Sequence, residues 1–62
     1  MNKQELQQEV LKVIQNEREL TIILMTEFVE ERINGTNFTE RLNLLFGNTN
    51  SMIESKFERL EE

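Results

Sequence analysis

The 62-residue chain has no cysteine, histidine, proline, tryptophan, tyrosine or aspartate, and only two glycines, Gly35 and Gly47. Without cysteine there is no disulfide and no thiol chemistry. Without cysteine and histidine together, zinc, haem and iron–sulfur centres lose their usual ligands. A carboxylate-bridged metal pair inside a helix bundle needs Glu-x-x-His motifs, which this chain cannot supply. No serine has a histidine to activate it, and two glycines cannot build a phosphate-cradling loop. The expectation is a protein with no catalytic residue, no metal and no cofactor.

Long apolar runs are missing too. Ile22-Ile23-Leu24-Met25 is the longest, far short of the roughly 20 residues a membrane span requires. The opening Met1-Asn2-Lys3-Gln4-Glu5 runs into polar sequence rather than a signal-peptide core, so a cytoplasmic protein with no membrane association is expected. On that basis the two glycosylation-like triplets, Asn34-Gly35-Thr36 and Asn37-Phe38-Thr39, are coincidences of an Asn- and Thr-rich turn.

What the chain does have is charge and helix formers. Charged residues make up 31%, and all twelve acids are Glu against seven Lys and Arg, a net charge of −5. Glu favours helices where Asp does not. The acidic balance argues against free nucleic-acid binding, which draws its affinity from phosphate neutralisation, and against an anionic membrane surface.

Apolar periodicity places the elements. At about 100° per residue, Leu6, Val10, Val13, Ile14, Leu20, Leu24 and Phe28 share one sector, and Leu11, Ile22, Val29 and Ile33 form an adjoining strip. The spacing predicts a helix over about residues 4–33. Residues 34–37 follow as a turn, with Gly35 as a left-handed cap and Asn37 with Glu40 as a capping box opening the next helix. Phe38, Leu42, Leu45, Phe46, Thr49, Met52, Ile53, Phe57 and Leu60 hold one phase, so a second helix is expected over about 38–60. Gly47-Asn48-Thr49-Asn50 is poor helix sequence, and a joint near 47–50 is the alternative. The terminal Glu61-Glu62 opposes the helix dipole and should fray. So short a connection implies an antiparallel hairpin.

A chain of this size buries only about 60% of its unfolded surface. The apolar arc of the first helix, about 220° wide, exceeds what one neighbouring helix covers. The expected fold class is therefore all-α, an antiparallel helical hairpin forming a single domain and dimerising into a four-helix bundle. Its core and dimer interface are expected to be Leu6, Val10, Val13, Ile14, Leu20, Leu24, Phe28, Leu42, Leu45, Phe46, Ile53, Phe57 and Leu60.

Two sets of charges stand out. Glu17 falls in the middle of the first apolar sector, where a carboxylate must be paired or kept wet; it is expected to specify register between helices by bonding Arg18, Lys56 or Arg41 of a neighbour. The competing role is a partner anchor or proton-transfer group. Lys56 is its counterpart at the edge of the second stripe, with its stem snorkelling. Glu27, Glu30 and Glu31 near the end of helix one, by the loop of an antiparallel hairpin, with Glu54 and Glu58 in helix two toward its open end, are the candidate acidic partner-binding face, imitating phosphate spacing; the bland alternative is a solvated face.

In length and hairpin layout the chain resembles the Rop class of plasmid copy-number proteins, which pair as four-helix bundles and hold RNA loops. The basic, polar RNA face of that class has no match here: Val10 and Ile14 occupy apolar sites, and the charge balance is acidic. Size and acidity are similar to the small antirepressors of bacilli and phages that block DNA-binding regulators. Shared architecture does not transfer function, and no family is assigned. The leading expectation is a small acidic, non-catalytic protein-binding module, a homodimer that regulates or inhibits another protein by occupying its surface; the alternatives are an assembly subunit joined through its helical faces and, third, a Rop-like RNA binder.

Overall fold

The computed structural model describes residues 1–60, and the fraying expected of Glu61 and Glu62 lies outside them. Two helices, α1 (Lys3–Val29) and α2 (Gly35–Leu60), pack against each other as a hairpin. No strand occurs among the described residues.

Helix α1 opens on Asn2, whose side-chain Oδ1 accepts the Glu5 backbone N–H at 2.8 Å while its Nδ2 donates to Glu5 Oε1 at 3.0 Å. This reciprocal cap satisfies an N–H that the helix itself leaves without a partner. The helix ends at Val29, four residues earlier than periodicity predicts. Glu31 takes the left-handed conformation at φ 62°. The Arg32 N–H bonds the Glu27 carbonyl at 2.9 Å and the Glu31 N–H bonds that of Phe28 at 3.0 Å. These two bonds are the Schellman pattern, with Glu31 at the position glycine usually takes. Ile33 keeps helical phase in the sequence but lies in the turn, half-buried.

The second cap also differs from expectation. Asn34, not Asn37, is the N-cap of α2. Its Oδ1 accepts the Asn37 N–H at 2.8 Å, and its carbonyl accepts from Phe38 at 3.0 Å. Gly35 begins the helix, and no glycine has positive φ. Both asparagines suit a cap chemically. Starting one turn earlier helps bring Phe38 onto Phe28, ring centroids 5.8 Å apart.

Helix α2 runs without a break through Gly47-Asn48-Thr49-Asn50. Thr49, at the centre of that weak stretch, is the most buried residue of α2 at 7% exposure, with Leu45 and Ile53 half-buried on either side. Packing of one continuous face outweighs the local propensity of four residues.

Candidate interaction surfaces

The seam between the helices is thin. Leu6 and Val13 are the only buried hydrophobic residues among those described, and Val10, Leu24, Leu42, Leu45, Ile53 and Leu60 are half-buried. Five members of the expected core, Ile14, Leu20, Phe28, Phe46 and Phe57, are exposed in the single hairpin. Two helices alone cannot surround residues spread so widely around each helix. The chain exposes 5047 Å², where a compact monomer of 7.4 kDa would expose about 4200 Å². Its radius of gyration is 14.4 Å, against about 10.6 Å for a compact globule of this length.

The two sides of the hairpin differ in chemistry. Lys56 Nζ donates to Glu9 Oε2 at 2.9 Å, and Arg41 Nη1 donates to Glu27 Oε2 at 3.2 Å. By helical phase both cross-helix pairs fall on one side of the seam. The Lys56 bond, with help from its charge, holds the Glu9 carboxyl below its ordinary range. A shallow apolar hollow lined by Leu6, Val10, Leu11, Phe57 and Leu60 opens on the other side.

Outside the seam, α1 carries a second apolar stripe. Leu11 (55% exposed), Ile14, Ile22, Met25 and Val29 (67%) follow one another at spacings of three, four or eight residues. Arg18 occupies the gap of eight, and shallow grooves run along the stripe.

The charged candidates occupy separate parts of the hairpin. Glu17 is half-buried and enters no ion pair among the described residues. Within the chain, Lys56 and Arg41 pair with Glu9 and Glu27, so Glu17 bonds neither of them inside its own hairpin. The backbone carbonyl of Glu17 accepts the Thr21 hydroxyl at 2.8 Å. Antiparallel register, fixed by the Glu9–Lys56, Glu27–Arg41 and Phe28–Phe38 contacts, puts Glu17 level with buried Thr49. The Lys56 side chain is only 16% exposed, and its ammonium reaches Glu9. Sequence reasoning missed Glu9, which adjoins the inward sector; only the hairpin register reveals it as the residue facing Lys56.

The acidic candidates form two separated groups. Glu27 is held by Arg41 and Glu30 by Arg32 at 3.0 Å, while Glu31 shapes the turn. Glu54 and Glu58 are exposed on α2, with Glu54 roughly 30 Å from the turn at 1.5 Å per residue. They do not make one continuous face.

No group of three or more acidic side chains among the described residues is placed to hold a metal ion. None of the described helices is long and apolar enough to cross a membrane. Compared with protein-family models, curated proteins and solved structures, the chain matches none. Fold and surface together define its class, an all-α helical hairpin with most of its large apolar side chains on the outside.

Proposed function

We propose that this protein is a small, non-catalytic protein-binding module, homodimeric, that regulates or inhibits a partner protein by covering part of its surface. One observation carries this: twelve large hydrophobic side chains are 39–69% exposed while two are buried. Contiguous exposed apolar surface on a small protein marks an interaction site. A second copy accounts for the broad stripe on α1, and the acidic groups at the two ends of the hairpin offer themselves to a basic partner, such as a DNA-binding regulator, which would displace Arg41 from Glu27 and Arg32 from Glu30 and meet exposed Glu54 and Glu58 directly.

A second role, as a subunit joined into a larger assembly, draws support from Ile23, Leu44 and Met52. These are 53%, 69% and 49% exposed and project away from the α1 stripe by helical phase. RNA binding has less support, because Arg32, Arg41 and Lys56 are each already engaged by a carboxylate.

Native mass measured by light scattering on a sizing column, over a range of concentration, tests the homodimer: twice 7.4 kDa supports it and a monomer throughout overturns it. For the partner, a protein selected on the immobilised hairpin is purified and titrated against wild type and against a triple variant, Glu27→Gln, Glu30→Gln, Glu31→Gln. Electrostatic docking requires that the variant lose binding with its helicity intact, and that wild-type binding weaken steeply with salt. Unchanged affinity would overturn the acidic docking.

A further inference from the structure

We infer that the outer stripe of α1 is a self-docking surface that pairs antiparallel with the same stripe of a second copy, about a two-fold axis level with Leu20. This rests on the homodimer proposed above and specifies its geometry. In a two-fold interface the same patch must complement itself. The α1 stripe has that property. Its residues Leu11, Ile14, Arg18, Ile22, Met25 and Val29 are spaced so that, read backwards, they fall within one residue of the same positions. With the axis at the level of Leu20, Leu11 meets Val29 of the other copy, Ile14 meets Met25, and Arg18 meets Ile22. Centring the axis on Arg18 instead would bring two guanidinium groups together and leave Val29 facing the polar Gln7.

Charge selects the same surface. Each copy carries a net charge of −5, so two copies repel, and close approach is cheapest where acids are fewest. No member of the stripe is acidic, Glu19 and Glu30 lying at the edges of its grooves, and its one charged member, Arg18, is a cation whose aliphatic stem can cover Ile22 while its head stays in water. Area agrees as well. The stripe lies about 120° around α1 from the seam, so docking there also engages the broad side of the hairpin opposite the ion pairs. That side measures 45 by 16 Å, a projected area of about 700 Å², close to the roughly 800 Å² per partner of a stable interface. Hairpin register brings Phe46 of α2, 42% exposed, near the level of the axis, where the two copies of it would meet.

The chain has no cysteine, so introduced thiols report alone. In the double variant Leu11→Cys, Val29→Cys the two thiols of one chain stand about 27 Å apart along α1. A short bis-maleimide linker can therefore join them only between chains. Packed helices lie about 8–10 Å apart, within its reach. The expected product is a doubly linked dimer from the double variant and none from Leu11→Cys alone or from Leu44→Cys. Both stripe positions are exposed, so circular dichroism should show native helicity. Linking by Leu11→Cys alone would mean parallel pairing and overturn the inference. A dimer by light scattering with no linked product would overturn it while leaving the homodimer intact. A monomer throughout would overturn both. Arg18→Leu, which removes the only charge in the stripe, should lower the dimer dissociation constant at least tenfold; an unchanged or higher value would remove Arg18 from the interface and overturn the axis position.

Discussion

Glu31 is the one non-glycine residue with positive φ among the described residues, at 62°, and its replacement by glycine makes a quantitative test of how the hairpin turns. An L-residue with a Cβ pays about 1–2 kcal/mol in the left-handed region. Glycine avoids that cost but gives back roughly 0.5–1 kcal/mol through its freer unfolded chain. The substitution also removes a negative charge just past the end of α1, where acid opposes the helix dipole by about 0.3–1 kcal/mol. Glu31→Ala separates these effects, since it removes the charge and keeps the Cβ. Glu31→Gly should therefore exceed Glu31→Ala by about 0.75 kcal/mol, the difference between the middles of those two ranges. At about 4–8 °C per kcal/mol for a domain of this size, that is a difference of roughly 3–6 °C in Tm. Thermal unfolding followed at 222 nm measures it, with all three proteins at one concentration because association makes Tm concentration-dependent. Coincident melts for the glycine and alanine variants would refute the Schellman turn at Glu31.

Four further outcomes follow from the same geometry. Asn34→Ala should cost about 1 kcal/mol while Asn37→Ala costs little, because the first is the N-cap and the second only donates to it; the reverse order in chemical denaturation would restore the cap to Asn37. Gly47→Ala should stabilise by up to about 1 kcal/mol, since the position is helical and a Cβ there meets nothing within 4 Å; a destabilised variant would indicate a joint in α2. Glu9 titrates below its ordinary value of 4.5, chiefly through its bond to Lys56. A carboxyl whose folded pKa is depressed contributes stability above its unfolded value and loses it as pH falls through the folded one. Wild type should thus be more stable than Glu9→Gln at neutral pH, with the advantage shrinking below pH 4.5; a gap that widens in acid would contradict the pairing. Glu17→Leu should raise Tm, because a half-buried carboxylate with no ion pair gives way to an apolar side chain; a large loss of stability would show that Glu17 is bonded across an interface.

Residue pattern alone determined that the protein is two long helices folded back as a hairpin. The 3.6-residue period of Leu6, Val10, Val13 and Leu24, and of Leu42, Leu45, Thr49 and Ile53, is a local signal that depends on nothing outside each helix. The missing cysteine and histidine likewise bounded the chemistry before any fold was known. Tertiary structure decided what depends on relative placement. Val29 and Ile33 continue the phase of α1, and only the reversal at Glu31, which closes Phe28 onto Phe38, ends the helix at Val29. Asn34 and Asn37 are equally good caps by residue type, and packing chose between them. Gly47 and its neighbours disfavour a helix locally, yet burial of Thr49 in the seam carries the helix through. Glu9 rather than Glu17 answers Lys56 because antiparallel register sets which residues stand level, a quantity no single helix contains. The pattern also could not tell an apolar residue that meets its own hairpin from one that faces outward. Both are hydrophobic and in phase, and only the position of the second helix separates Val13, buried at 8% exposure, from Ile14, left 45% exposed.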